Sequence, residues 1–222
     1  MILRVRVLSS TLLLVALLGA PRGGHAQTPD PFAVLESAGR VYREATGICS
    51  DFEQSLVVPL LGQNVKGSGR LCTRRPGMFS MRFTDPKGDL YLADGTSLWR
   101  YQPSTDPKQV LKIALASGPS GVDFYSEFLD SPRTKYKAAY EGRQALDGKS
   151  VHQVALTPLE KTSYRTAKLW IDAGDSLLRK VEITEENGSV RTVRLRRVEL
   201  NPKLAEDAFR FTPPAGAQVI SR

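Results

Sequence analysis

The chain has 222 residues, of which 41% are hydrophobic, 24% charged and 8% aromatic, with a formal charge of +8. This composition excludes collagen-like, acidic-disordered and disulfide-dense miniature classes, and it is ample for one hydrophobic core. A single apolar run is long enough to bear on a membrane, which argues against a polytopic membrane protein.

That run opens the chain. Arg4 and Arg6 precede the unbroken apolar segment Leu12 to Leu18, and Gly24-His25-Ala26 places small residues at −3 and −1 of a cleavage site. The order basic, apolar, small predicts a cleaved secretory signal peptide over 1–26 and an exported, aqueous location. No cysteine follows the run as a lipid-attachment point, so the mature chain is expected to carry no anchor of its own. Removing the leader, with Arg4, Arg6 and Arg22 and no acid, leaves 196 residues at +5, expected as a single domain over 27–222. A mild positive balance serves solubility and steering toward acidic partners. No basic block is interleaved with aromatics, so no nucleic-acid partner is expected.

Asp30 and Pro31 read as N-cap and first position of a helix, continued by Phe32, Leu35, Ala38, Tyr42 and Ala45, with Gly47 as its stop. From Cys49 the period changes to two, with Phe52, Gln54, Leu56 and Val58 on one parity. Pro59 to Gly62 and Asn64 to Gly67 read as loop. Gly69, Leu71 and Thr73 alternate next, and after Arg75-Pro76-Gly77 come Phe79, Met81 and Phe83 on one face. Leu90 and Leu92, the Asp94-Gly95 turn, and Trp99 with Tyr101 follow.

Ser120 to Asp123 resembles a capping box opening a short helix that carries Phe124, Tyr125 and Phe128. Tyr136 to Tyr140, Val151 to Leu156, Leu169 to Ile171, Leu177 to Thr184 and Val190 to Leu200 read as strands. Asp147-Gly148 and Asn187-Gly188 are turns between them. A helical turn or two is expected from Asn201 to Ala208, then strand at Phe209 to Thr212. Many short strands with close turns indicate an antiparallel meander or barrel.

Little catalytic chemistry is present. After cleavage His152 is the sole histidine, and a lone histidine in an alternating strand is normally structural or solvated. No zinc spacing, nucleophile elbow or phosphate loop occurs, and no metal or cofactor is expected. The acid pairs Asp85/Asp89 and Glu185/Glu186 flank turns, where exposed acids are the default. Cys49 and Cys72 fall opposite each other if the first hairpin turns near Leu60-Leu61. A disulfide there would tie the end of the first helix to the sheet; two buried thiols are the alternative.

Arg75-Pro76-Gly77-Met78-Phe79 followed by Asp94-Gly95-x-x-Leu98-Trp99-x-Tyr101 resembles the LolA family of periplasmic lipoprotein carriers. Phe52-x-Gln54 and Phe209-x-Phe211-x-Pro213-Pro214-x-Gly216, with Val219 behind, agree with it in order and spacing. The resemblance implies a mainly β fold: a half-open antiparallel β-barrel, that is a curved sheet, with short α-helices as a lid over an apolar cavity. It implies a non-enzymatic monomer that takes acylated lipoproteins from an inner-membrane ATP-driven transporter and passes them to an outer-membrane receptor. Arg75 matches the family arginine that contacts the lid. Phe79, Met81, Phe83, Trp99 and Tyr101 are the expected lipid-contact residues, and Phe124, Tyr125 and Phe128 the expected lid. Met81 stands where the family often has an aromatic, and the cysteine pair and the apolar Pro59-Leu60-Leu61-Gly62 loop depart from its pattern. A carrier of free lipid or glycolipid and a lipoprotein-sensing domain share this fold, and an exported hydrolase is a further class.

Overall fold

The computed structural model describes residues 28–115 and 123–221. The leader expected at 1–26 and the Ser120 to Val122 part of the capping box lie outside them. Asp30 caps α1 (Pro31–Glu44): its carboxylate accepts the Phe32 N–H at 3.1 Å, and Pro31 occupies the first turn, where no N–H is needed. Val34, Leu35, Ala38 and Tyr42 form its buried stripe. The helix ends before the expected glycine stop. Ala45 is already extended, and Gly47 opens β1 (Gly47–Val58) instead. The glycine is needed there for packing: a Cβ would stand 2.8 Å from the Thr73 carbonyl oxygen.

β1 and β2 (Gln63–Arg74) form a long hairpin around one 3₁₀ turn at Pro59–Leu61, with Gly62 in the left-handed region. Asn64 to Gly67, expected as loop, belong to β2 and pair with Val57 to Gln54. Their weak strand propensity is overridden because the hairpin partner already satisfies their backbone groups. In this register Cys49 faces Cys72, and the two are joined as a disulfide. Replacing both by serine should lower the unfolding free energy by about 3 kcal/mol, since the bridge closes a loop of moderate length. The denaturant midpoint checks this, and an unmoved midpoint would remove the bridge's structural role.

The meander continues through β3 (Met78–Asp85), β4 (Leu90–Asp94), β5 (Ser97–Tyr101) and β6 (Gln109–Ala114). α2 (Phe124–Leu129) and α3 (Pro132–Lys135) lead into a second meander: β7 (Tyr136–Leu146), β8 (Lys149–Pro158), β9 (Tyr164–Asp172), β10 (Leu178–Glu185) and β11 (Val190–Leu200). β11 pairs antiparallel with β1 and joins the two halves. β12 (Gln218–Ser221) returns to β6 and, unlike the other pairings, is parallel. Among the described residues the result is one 12-stranded sheet in the order β12-β6-β5-β4-β3-β2-β1-β11-β10-β9-β8-β7.

The sheet is curved and open, with free edges at β12 and β7, as expected of a half-barrel. Bulges at Cys49/Asp51, Ser68/Gly69 and Tyr140/Gly142 add local bend and twist. At the second of these β3 comes so close that a Cβ on Gly69 would lie 2.0 Å from the Arg82 carbonyl oxygen. The inner face carries the core, in which Leu35 of α1 belongs to one buried cluster with Phe52, Leu71, Phe79, Leu156 and Leu169 of the sheet.

Two C-terminal expectations are corrected. Asn201 to Ala208 contains turns and no helix. Asn201 adopts φ +53°, and its Oδ1 accepts the Thr46 N–H at 2.7 Å, so it ties the end of β11 to the α1–β1 connection rather than starting a helix. Phe209 to Thr212 is irregular chain rather than strand. It lies across the outer face, where Phe209 sits under the Arg74 guanidinium and Phe211 packs against Trp99 and Tyr101.

Candidate functional site

Register decides which side chains share the inner face. Phe79 and Met81 of β3 lie opposite Ala93 and Tyr91 of β4. The same rows run on through Leu98 and Arg100 of β5 to Ile113 and Leu111 of β6. α2 covers part of this surface. Its first N–H groups are capped by Asp123, whose Oδ1 accepts the Tyr125 N–H at 3.0 Å. The helix buries Phe124, Tyr125, Phe128 and Leu129.

Between α2 and the β3–β6 rows lies a cavity of about 440 Å³. Met81, Tyr91, Leu98, Leu111 and Ile113 form its sheet wall together with Arg100, whose guanidinium lies over the Tyr91 ring, and Phe124 and Phe128 close it from the helix side. Its other end is polar. Gln54, Ser163 and Tyr164 stand there beside Glu127 and the Arg191–Glu185 pair, joined at 3.3 Å. Glu127 Oε1 accepts the Tyr164 hydroxyl at 2.6 Å and the Tyr136 hydroxyl at 3.0 Å. Burial, with the neighbouring Glu127 charge, pushes both phenols above their ordinary pKa, so they stay neutral. A wider hollow of about 640 Å³ opens between the β1–β2 strands and the β7–β8 turn. Its charged side chains are largely committed to one another, as in Asp51 with Arg70 and Arg197, and its large apolar side chains are Phe52, Leu146 and Leu195, set among charged and polar ones.

The helices are latched together by polar contacts. Asp123 Oδ2 accepts the Tyr42 hydroxyl of α1 at 2.6 Å, and the Tyr42 and Tyr125 rings stack at 5.3 Å. Burial pushes the Asp123 carboxyl up; burial and then the Asp123 charge push the Tyr42 phenol up. Gly39 permits the close crossing, since a Cβ there would meet the Leu129 carbonyl oxygen at 2.6 Å. Arg75, in the turn after β2, reaches the other end of α1. Its guanidinium donates to the carbonyls of Arg43 and, at 3.4 Å, Ala45, and lies 5.6 Å above the Tyr42 ring. These carbonyls have no partner within the helix, and a cation there also complements the helix dipole. Arg74 faces the other way and stacks 5.0 Å over Phe209, as its parity predicts.

The expected site residues therefore divide. Met81, Phe124 and Phe128 line the cavity. Phe79 is fully enclosed, Phe83 packs edge-on against Phe52 at 4.9 Å, and Tyr125 is buried against Tyr42, so these three belong to the walls behind it. Trp99 and Tyr101 are corrected. They pair with Leu92 and Leu90 and so point to the outer face, away from the cavity. Phe211 of the closing segment covers them, with ring centroids at 5.8 and 5.6 Å. Trp99 Nε1 donates to Asp94 at 2.7 Å. Burial alone would raise the Asp94 carboxyl, but this bond and those from Thr96 and Ser97 hold it at about 2. Sequence reasoning missed Leu98, Leu111 and Ile113. Leu98 has the parity opposite to Trp99, and β6 carries apolar residues on both parities, so its alternation marks no inner face.

His152 Nδ1 meets the Tyr140 hydroxyl at 3.0 Å, and burial lowers its pKa. Asp89 anchors Ser104, with its Oδ2 accepting the Ser104 hydroxyl at 2.7 Å. Among the described residues no group of His, Cys, Asp and Glu could hold a metal ion, and no helix is long and apolar enough to cross a membrane.

The family model described as outer membrane lipoprotein carrier protein LolA matches residues 43–212. An outer-membrane lipoprotein carrier protein of Cupriavidus taiwanensis is 31% identical, covering 99% of this chain and 100% of its own. One from Neisseria meningitidis serogroup C is 25% identical, covering 80% of this chain and 82% of its own. Among solved structures, an uncharacterized conserved protein from Thermus thermophilus superposes with a TM-score of 0.55 at 14% identity, covering 86% of this chain and 98% of that one. At that identity the likeness is one of fold alone.

Proposed function

The chain belongs to the LolA family of outer membrane lipoprotein carrier proteins, and from that membership we infer that it ferries lipoproteins with their acyl chains seated in the α2–β6 cavity. The family is one of carriers rather than enzymes. The observation that carries the reading is the cavity itself: an apolar sheet wall under a short helix held down by polar latches. Hiding an acyl chain of about 16 carbons from water is worth on the order of 12 kcal/mol at about 0.8 kcal/mol per CH₂, so unaided transfer through water is slow. A carrier must offset much of that cost and still let go.

In this reading residues 1–26 direct export, residues 27–222 act as the carrier domain in the periplasm, and the chain works as a monomer. An inner-membrane ATP-driven transporter loads it and an outer-membrane receptor unloads it. Arg75 biases the empty, closed form by holding the end of α1. Cargo entry competes with that contact.

Native mass spectrometry of protein taken gently from its own periplasm tests the cargo. A bound mass of an acylated protein is expected; a bound mass of lipid size would replace the reading with a free-lipid carrier. The lid role of Arg75 has its own test. Arg75→Leu should slow release of a palmitoylated peptide roughly 10-fold or more, the worth of about 1.5 kcal/mol or more for hydrogen bonds from a charged group. Stopped-flow release at the wild-type rate would reject it.

A further inference from the structure

We propose that the polar end of the cavity, formed by Gln54 and the Arg191–Glu185 pair, recognises the amide by which an acyl chain is attached, so that the site distinguishes amide-linked from ester-linked chains. The proposal rests on the carrier reading and deepens it.

The first observation is Gln54. Its side chain points from β1 into the cavity, and its Oε1 is enclosed with no hydrogen-bond partner. A buried carbonyl oxygen without a donor is costly and rare in a folded chain. Its cross-strand neighbours supply none: Gly67 on β2 has no side chain, and Val193 on β11 is apolar. The side chain also lines the cavity, and that is the side from which a ligand's donor would reach it.

The second observation is the company of that oxygen. Arg191 and Ile183 continue the inner face one row beyond Val193 and Val181. Arg191 Nη2 is 3.3 Å from Glu185 Oε1, and both side chains keep about 30% exposure. A guanidinium has five N–H donors in a fixed fork, so one bond to Glu185 leaves others free to meet a carbonyl in the cavity. Gln54 therefore lacks a donor where Arg191 has donors to spare, on the same face and within two residues in register.

Among acyl attachments an amide fits this pair. Its N–H would satisfy Gln54 Oε1 and its C=O would accept from Arg191. An ester offers the carbonyl without the N–H, and a free carboxylate offers acceptors alone. The apolar wall begins at Met81 and Tyr91 of the same cavity and takes the chain. Two sources carry this chemistry: the N-acylated amino terminus of a lipoprotein, and a free N-acyl amino-acid lipid.

The test uses the mature protein and two synthetic peptides of one sequence, palmitoylated either through an amide at the amino terminus or through an ester on a serine hydroxyl. Fluorescence competition should show the wild type binding the amide-linked peptide about tenfold more tightly. Gln54→Leu keeps similar volume between Gly67 and Val193 and should bring the two within twofold of each other by weakening the amide-linked peptide alone. Arg191→Met should weaken both. Equal wild-type affinities, or a Gln54→Leu loss shared by both peptides, would overturn amide recognition while leaving the carrier reading in place. Failure of the wild type to bind either peptide would sink the carrier reading itself. N-palmitoylglycine is the third arm. Binding it more weakly than the amide-linked peptide assigns the site to a lipoprotein amino terminus, and equal binding assigns it to a free N-acyl lipid.

Discussion

Leu98→Asp should abolish binding of a palmitoylated peptide, with a loss of at least about 100-fold, while moving the thermal midpoint by only a few degrees. Leu98 sits on the inner face of β5, between Ala93 of β4 and Ile113 of β6, and lines the cavity. It is half-buried, so an aspartate there keeps access to water in the empty protein and the fold tolerates it. Once an acyl chain fills the cavity the carboxylate loses that water; Arg100, two residues along the same strand, also lines the cavity, but its guanidinium is held by Gln102 and lies over the Tyr91 ring. Stripping water from an unpaired charge costs several kcal/mol, which is a hundredfold or more in affinity. Trp99, its neighbour in sequence, provides the control on the outer face: Trp99→Leu removes the indole covered by Phe211 and should leave acyl binding unchanged. Retained binding by Leu98→Asp would move the site elsewhere.

Asp123→Ala should lower the unfolding free energy by about 2–4 kcal/mol, combining the loss of an N-cap with a Tyr42 hydroxyl left buried and unpaired. For a domain of this size the thermal midpoint should fall by roughly 5–15 °C. The pH dependence carries the sharper signature. Burial raises the Asp123 carboxyl above its ordinary value, so between the two values the folded chain holds a proton that the unfolded chain has released. Stability from this group is therefore greatest in acid and declines as pH rises from about 4 through the raised pKa. Asp123→Asn, which keeps the acceptor and removes the titration, should flatten that decline. Asp94 and Asp172, both held at about 2, act in the opposite sense and lose their contribution as pH falls below about 4. A wild type and Asp123→Asn pair with parallel pH profiles would show that Asp123 stays ionised in the fold.

Legibility differed by element. Asp30-Pro31 and the helical stripe behind them named α1 because cap, proline and period act within a few residues. The Cys49–Cys72 pairing was readable from the midpoint of the hairpin, since antiparallel register follows from where the turn lies. Gly47 misled because glycine stops helices and also permits close strand contact, and only the Thr73 carbonyl distinguishes the two. Asn64 to Gly67 misled because strand propensity is weak beside pairing.

The cavity was the least legible part. Trp99 and Tyr101 have the size and alternation of cavity residues, yet one step of parity separates them from Leu98. Parity within a strand is written in the sequence, but which parity faces inward is set by registers between strands. By itself the sequence determined the opening helix, the β-rich meander and the family, because each rests on local chemistry or motif order. The tertiary structure alone decided that Met81, Leu98 and Ile113 share a wall, that Phe211 hides Trp99, and that Gln54 and Arg191 line one end of the same cavity. Those are contacts between residues far apart in the chain, fixed by pairing and curvature that no local pattern encodes.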